Sequence, residues 1–95
     1  MDQMIDNAAI ERVVQEYIVS NFLPGDPVES LHRDDLLIEG GIIDSGSIMM
    51  FILFLEEKYD IQVHDEELFA DNFATVHHVV DFIDRKLKRK MNIQT

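Results

Sequence analysis

The sequence contains no cysteine and no tryptophan, and it has only two prolines and four glycines. Without cysteine the chain can form no disulfide, no thiolate nucleophile and no cysteine-based zinc site. No apolar run reaches the roughly 20 residues that a membrane-spanning helix needs, and residues 1–4 lack the basic region of a signal peptide. We therefore expect a cytoplasmic protein without stable membrane insertion.

Basic residues are also scarce. The 95-residue chain has 8 lysines and arginines against 19 aspartates and glutamates, which gives a formal net charge of −11. All 19 acidic residues lie in residues 1–84, where only three are basic. Such a surface repels nucleic acid and attracts basic proteins, so we expect no nucleic-acid partner. The other basic residues cluster in the carboxyl-terminal tail 85–95, where we interpret them as complementing the negative end of the last helix dipole.

Patterns that indicate a metal or catalytic site are missing as well. The histidines, at positions 32, 64, 77 and 78, form no His-Glu-x-x-His motif. The acidic run Asp65–Glu67 lacks the spacing of a calcium-binding loop. No general base or oxyanion motif accompanies a candidate nucleophile. The sequence therefore predicts no metal site, no catalytic residues and no enzymatic activity.

Three segments have the apolar periodicity of amphipathic helices. The first is centred on residues 10–18, and the second runs from about Asp44 to Tyr59. The third reaches about Lys88, and Thr75 is its expected N-cap. These segments predict three main helices.

The connections between these helices are uneven in length. A proline- and glycine-containing break opens a long loop over residues 24–44, in which we expect a short turn around Leu31–Leu37. A short helix is predicted to begin at Asp65–Phe69, because acidic side chains suit the first turn of a helix. Residues 91–95 are expected to fray.

The predicted fold class is therefore all-α: a small four-helix bundle with three main helices, one short helix and a long first loop. Hydrophobic residues make up 46% of the chain, which is enough for one modest core. We expect a single monomeric domain over residues 1–95, with its core within about residues 5–88.

The second predicted helix is apolar on nearly every side. The stripe expected to face the core consists of Ile48, Ile52, Leu55 and Tyr59. The other apolar residues are Met49, Met50, Phe51, Leu53 and Phe54. A helix in so small a bundle cannot be buried all round, so some of these residues should be exposed. We expect Met49, Met50 and Phe54 to form a partner-recognition surface, since methionine suits adaptable contacts.

The segment Gly41-Ile42-Ile43-Asp44-Ser45 places a hydroxyl at the start of this helix. Backbone N–H groups there lack acceptors within the helix, and the helix dipole favours an anion. A phosphate attached to Ser45 would thus be well placed, although for Ser45 taken alone an ordinary N-cap is the better interpretation. Ser47 lies further into the predicted helix and lacks a preceding aspartate, which is more typical of a surface serine.

The order of these motifs resembles the acyl carrier protein family over about residues 5–88. The resemblance rests on Asp44-Ser45, the apolar helix, Leu55-Glu56-Glu57-Lys58-Tyr59-Asp60-Ile61, Asp65-Glu66-Glu67 and Asn72-Phe73-x-Thr75-Val76. Family members carry a 4′-phosphopantetheine arm on the serine of the Asp-Ser motif, so the resemblance implies Ser45 as the attachment site. It also implies Asp44 as part of the surface read by the phosphopantetheinyl transferase.

Two departures from the family pattern favour a specialised member. The family usually has leucine or methionine directly after the serine, where this chain has Gly46. The exposed side of the second helix usually carries acids, where this chain has Met49 and Met50. These differences favour a carrier with a dedicated set of partners.

The resemblance implies a carrier that holds an acyl or similar carboxylic cargo as a thioester on the arm and presents it to partner enzymes. Those partners would be the transferase, an acyl- or aminoacyl-loading ligase and a downstream acyltransferase or synthase, in fatty acid or specialised lipid biosynthesis. Two alternatives remain: an aminoacyl or peptidyl carrier, and an unmodified carrier-like adaptor. The six phenylalanines, at 22, 51, 54, 69, 73 and 82, could line an acyl pocket, but ordinary core is the better interpretation.

Overall fold

Four α-helices make up the fold in a computed structural model that describes residues 5–68 and 71–93. They are α1 (Asn7–Phe22), α2 (Ile48–Tyr59), α3 (Asp65–Leu68) and α4 (Val76–Ile93), with 3₁₀ turns at Val28–Ser30 and Asp71–Phe73. The described residues contain no β-strand. The predicted all-α bundle of three main helices and one short helix is therefore confirmed.

Helix α1 is capped and ended by local chemistry. The Asp6 carboxylate accepts hydrogen bonds from the N–H groups of Ala8 and Ala9 and so satisfies two of the free donors at the helix start. The buried face of the helix consists of Ile10, Val14, Ile18 and Val19. Beyond its end, Gly25 has a φ of +91°, a conformation that L side chains rarely adopt.

Helix α4 begins as the sequence predicts and ends later. Thr75 Oγ1 accepts a hydrogen bond from the backbone N–H of His78 at 3.1 Å, which confirms Thr75 as the N-cap. The helix continues to Ile93 rather than ending near Lys88. The prediction of fraying is therefore wrong for residues 91–93, while residues 94–95 lie outside the described residues.

The basic segment is part of α4 and not a loose tail. Lys86 Nζ lies 2.9 Å from Glu67 Oε1, and Lys90 Nζ lies 3.0 Å from Asp60 Oδ2 and 2.7 Å from the Asp60 carbonyl oxygen. These contacts join α4 to the segments after α2 and in α3. Lys90 lies in the last turn of α4, as expected for a cation that complements the helix end. The sequence did not predict that acidic residues outside the helix also pair with Lys86 and Lys90.

The contact with Lys86 helps to lower the pKa of the Glu67 carboxyl group. Burial favours its protonated form, but the backbone N–H of His64 and the Lys86 ammonium outweigh burial and hold the pKa of Glu67 below its ordinary value. Ionised Glu67 therefore stabilises the fold at neutral pH. That contribution is lost as the pH falls through the lowered pKa.

The long first connection is fixed to the bundle by apolar side chains. Leu31, Leu37 and Ile43 are at most 2% exposed and belong to the same core as the helices. The Leu37 N–H donates to the Ala74 carbonyl at 2.9 Å, and the His77 N–H donates to the Arg33 carbonyl at 2.9 Å. Within the loop, a 3₁₀ turn at Val28–Ser30 precedes the turn expected around Leu31–Leu37, where the Asp35 N–H donates to the His32 carbonyl.

Aromatic rings occupy much of the interior. Phe51, Phe73 and Phe82 are at most 4% exposed, and the ring centroids of Phe73 and Phe82 lie 5.2 Å apart. Phe22 and Phe54 pack against the core from its edge, whereas Phe69 lies outside the described residues. The five described phenylalanines therefore lie in the core or pack against it, which is the interpretation favoured from the sequence.

No helix in residues 5–68 or 71–93 is long and apolar enough to cross a membrane.

Candidate functional site

Ser45 lies in an exposed turn over residues 45–47, directly before α2. The predicted helix start at Asp44 is therefore wrong, because regular helix begins at Ile48. The Ser47 N–H donates to the Asp44 carbonyl at 3.0 Å, three residues back, which closes a tight turn ahead of the α-helix. Gly46 is a poor helix former at this point and is consistent with the late start.

Asp44, rather than a serine, caps this turn. Its Oδ1 accepts a hydrogen bond from the Ser47 N–H at 2.9 Å, and its Oδ2 accepts one from Ser47 Oγ at 3.3 Å. Among the described residues, the Ser45 hydroxyl has no hydrogen-bond partner. Ser45 is therefore not an N-cap, and the two serine hydroxyls differ: one is bound within the turn and the other faces solvent.

The backbone around Ser45 retains free donors. In the described part of the chain, no acceptor pairs with the N–H groups of Ser45, Gly46 or Ile48. These donors lie at the positive end of the α2 dipole, where a negative group is stabilised by roughly 0.3–1 kcal/mol at an exposed site. The turn can therefore accept an anion attached to the Ser45 oxygen.

Gly46 leaves the space beside the Ser45 hydroxyl free of a side chain. Its φ is not in the left-handed region, and an ideal Cβ built there would lie 3.4 Å from Asp44 Oδ1, at the border of ordinary contact. Backbone conformation thus does not require glycine at position 46. Its main local effect is the absence of a side chain beside Ser45.

Beyond the turn, α2 presents apolar side chains to solvent. Met50 is 66% exposed, Leu53 is 54% exposed and Met49 is 49% exposed. They are neighbours at helical spacings of three and four residues. The structure therefore places Met49 and Met50 on the surface, as predicted, and adds Leu53, whose spacing from both methionines was the available signal.

Phe54 does not belong to that exposed surface. Its ring stacks on Tyr17 of α1, with centroids 4.1 Å apart and planes at 17°, and it is half-buried. Phe51, expected outside the core-facing stripe, is fully buried. The expectation that Phe54 is freely exposed is therefore wrong, because a ring on another helix covers part of it, while its role in recognition stays a prediction.

Two histidines near the first loop have structural partners. Arg33 Nη2 lies 2.9 Å from His77 Nδ1, and Thr75 Oγ1 lies 2.7 Å from His78 Nδ1. Within residues 5–68 and 71–93, no group of three or more histidine, aspartate or glutamate side chains is arranged to hold a metal ion.

Comparison with known proteins places the chain among carriers. No family model matches it. It is 36% identical over 62 residues to the acyl carrier protein of Buchnera aphidicola subsp. Acyrthosiphon pisum, a match that covers 65% of this chain and 75% of that protein. It is 29% identical over 76 residues to the probable acyl carrier protein PigG of a Serratia species, covering 80% and 86% of the two chains.

A shorter match has a higher identity. The acyl carrier protein of an Exiguobacterium species is 43% identical over 44 residues, which cover 46% of this chain and 53% of that protein. The helical bundle agrees with these relationships. The chain belongs to the acyl carrier protein family.

Proposed function

We propose that this protein carries an acyl cargo on a 4′-phosphopantetheine arm attached to Ser45. The observation that supports this best is the exposed Ser45 hydroxyl, which has no partner among the described residues, in a turn with free N–H donors. Ser45 Oγ would hold the arm through a phosphodiester, and those donors would stabilise its charge. When bound, the arm supplies the thiol that a chain without cysteine lacks.

Asp44 has two roles in this proposal. Its carboxylate holds the Ser47 N–H and hydroxyl, and so keeps the turn in a form that leaves Ser45 accessible. Its exposed position also suits recognition by a basic phosphopantetheinyl transferase. The protein itself would perform no catalysis and would act as a cytoplasmic monomer that moves between enzymes.

Met49, Met50 and Leu53 form the proposed partner surface. Buried apolar side chains at the centre of an interface contribute most of its affinity, so partners should cover these residues. The proposed partners are the transferase, an acyl- or aminoacyl-loading ligase and a downstream acyltransferase or synthase.

Two other functions are alternatives to this proposal. An aminoacyl or peptidyl carrier would use Ser45 in the same way, with a different cargo. An unmodified adaptor would act through the exposed surface of α2 alone. Co-expression with a phosphopantetheinyl transferase followed by intact mass measurement separates carrier from adaptor, because only a carrier gains the mass of the arm.

Replacing Met50 with glutamate should weaken binding to partner enzymes without unfolding the protein. Substitution at a site this exposed usually changes stability by less than about 0.5 kcal/mol. Loss of a central apolar contact should lower kcat/KM with the dedicated loading or downstream enzyme roughly 5- to 30-fold. Thermal melting and loading kinetics on the one variant measure both effects.

Met50→Leu is the matched control, since it keeps an apolar side chain of similar size and should behave like the unchanged protein. A large fall in Tm for Met50→Glu would mean that Met50 belongs to the core. Unchanged melting together with unchanged loading and transfer would contradict the proposed partner surface.

Loading by the transferase should also depend on salt. Residues 1–84 combine 19 acidic with three basic side chains, and electrostatic steering toward a basic enzyme can raise association rates by about 10-fold or more. Screening over about 8–10 Å at physiological ionic strength should remove much of that gain. The measurement is transferase kcat/KM from low to high sodium chloride, with a neutral osmolyte as control. A flat profile would count against electrostatic docking.

A further inference from the structure

Two arginines of α4 keep uncompensated charges. The exposed side chains of Arg85 and Arg89 lie about one turn apart on the helix. Lys86, Lys88 and Lys90 each have a carboxylate within 3.0 Å, whereas among residues 5–68 and 71–93 neither arginine forms an ion pair. The helix end does not account for them either, because Lys90 is the basic residue of the last turn and the dipole acts within that turn.

Local contacts hold Arg85 in place without neutralising it. Its Nη2 donates to Asn72 Oδ1 at 3.0 Å, and Asn72 Nδ2 donates to the Glu67 carbonyl at 3.1 Å. The Glu67 carboxylate is already bound by the His64 N–H at 2.8 Å and by Lys86 Nζ at 2.9 Å. The Arg85 guanidinium is therefore oriented by a neutral amide, and it retains other N–H donors.

Arg89 lies between two depressions beside α4. The wider one encloses about 310 Å³ and is lined by Lys86, Arg89 and Lys90 opposite residues 60–62 and His64. The narrower one, of about 60 Å³, shares Lys86 and Arg89 and adds Arg85, Glu67, Asn72 and Phe82. Because they share these residues, the two depressions form one groove, which we call the α4 groove. Its lining includes four cations and two carboxylates, a net charge of +2 with His64 neutral.

The α4 groove and Ser45 lie at opposite ends of α2. Ser45 precedes the first residue of this helix, and Asp60, which lines the groove, follows the last. The 12 residues of α2 span roughly 18 Å. A short segment bound in the groove would therefore leave the Ser45 turn and the exposed side chain of Met50 uncovered.

We propose that the α4 groove binds an acidic segment of a partner protein, with Arg85 and Arg89 pairing with its carboxylates. A guanidinium can donate two parallel hydrogen bonds to one carboxylate, which makes arginine better suited to this contact than lysine. Residues four apart on a helix have Cβ atoms about 5–6 Å apart, which matches acids three or four positions apart on a partner helix. The site does not require the arm, so it stands apart from the carrier function proposed above.

The charge of the rest of the molecule favours this class of partner. Residues 1–84 hold 19 acidic and three basic side chains. An anionic membrane or a nucleic acid spreads negative charge over a wide area and would bring it against those acids. A short acidic segment places its charge in the groove, and acids further away than about 8–10 Å are screened at physiological ionic strength.

Titration with an acidic peptide tests the site. A blocked hexaglutamate peptide would be added to the ¹⁵N-labelled full chain at physiological ionic strength. We expect the backbone amide resonances of Gln62, His64 and Asn72 to shift with a common dissociation constant. The amide resonances of Ser45 and Met50, at the other end of α2, should stay in place.

Two single variants separate the groove from general attraction to α4. Arg89→Gln should raise the Kd of the peptide roughly 3- to 5-fold, because it removes one charge-assisted contact at an exposed site. Lys88→Gln removes the same charge from the same helix, but Lys88 lies outside the groove lining and pairs with Asp84. It should change the Kd less than about twofold. Equal Tm values for the two variants would verify that both fold.

Three further measurements address other occupants of the groove. Inorganic phosphate at matched ionic strength should shift the same resonances far less than the peptide, because a single small anion cannot engage both arginines. Vesicles of phosphatidylcholine with about one-third phosphatidylglycerol should not sediment the protein. Arg89→Gln should also gain the arm at an unchanged rate, since the groove lies away from Ser45.

Groove shifts that Arg89→Gln weakens and Lys88→Gln retains support the inference. Shifts that are absent, spread over the chain or equally weakened by both variants overturn it. Equal shifts with phosphate would assign the groove to a simple anion, and sedimentation with the vesicles would assign it to a membrane. Slower loading of Arg89→Gln would place the transferase itself on the groove, and would contradict a separate partner.

Discussion

Ser45→Ala should abolish attachment of phosphopantetheine and leave the fold unchanged. The Ser45 hydroxyl makes no hydrogen bond within the described residues, and Asp44 provides the capping contacts of the turn. Its removal should therefore cost less than the roughly 1 kcal/mol of a lost N-cap. Intact mass after incubation with coenzyme A and a phosphopantetheinyl transferase should show no added arm. Circular dichroism and Tm should match the unchanged protein.

Ser47→Ala is the matched control, because it removes a neighbouring hydroxyl that is bound to Asp44 Oδ2. This variant should still gain the arm, with at most a small loss of stability from the broken contact. If Ser45→Ala were loaded and Ser47→Ala were not, the attachment site would be Ser47 and the assignment of the free hydroxyl would be wrong.

Gly40→Ala should destabilise the protein, and more so than Gly46→Ala, the same change at the other glycine without a positive φ. A Cβ at Gly40 would overlap the backbone carbonyl oxygen of Leu36, which itself accepts the Gly40 N–H. The overlap can be relieved only by moving the loop backbone. Overpacking of this kind costs about 1–3 kcal/mol. For a domain of this size, each kcal/mol lowers Tm by roughly 4–8 °C.

Gly46→Ala provides the comparison, because a Cβ there meets only Asp44 Oδ1 at 3.4 Å. It should be neutral or stabilise the protein by up to about 1 kcal/mol, since alanine reduces the freedom of the unfolded chain. Thermal or urea unfolding of the two variants measures both effects. Equal stability for Gly40→Ala and Gly46→Ala would show that the loop backbone adjusts freely, and would contradict the close packing of the first loop at Gly40.

Local pattern was sufficient to predict the helices. Apolar periodicity located α1, α2 and α4, and the Thr75 cap followed from residue type and position. The acids at Asp65–Glu67 marked α3. These features depend on residues a few positions apart, which a sequence displays directly.

Long-range contacts were not predictable in this way. Phe54 looked free on α2 because its partner, Tyr17, lies on another helix. Lys90 looked like a helix-end cation because Asp60 is 30 residues away. The start of α2 was misplaced for a different reason: Asp44 can cap either a helix or a tight turn, and the choice depends on the geometry of its neighbours.

At the Ser45 turn, the sequence identified the residues but not which of them caps the turn and which hydroxyl stays unbonded. It predicted an Asp-Ser pair at a helix start and favoured Ser45 over Ser47, because only Ser45 follows an aspartate. The structure assigns capping to Asp44 and binds Ser47 to it, so the hydroxyl without a partner is Ser45. The sequence did not predict that Asp44 binds the Ser47 hydroxyl, because that contact depends on the geometry of the turn.

The pairing of the α4 lysines with acids has a consequence for how the molecule meets other proteins. Lys86, Lys88 and Lys90 each lie within about 3 Å of a carboxylate, so their charges are locally cancelled. The sequence suggests a molecule with a negative body and a positive pole, but this compensation weakens the electric dipole that would turn the protein in a partner's field. With the basic partners proposed above, long-range attraction would speed encounter without fixing which face arrives first. Orientation would instead be set at short range, when the exposed apolar side chains of α2 contact the partner.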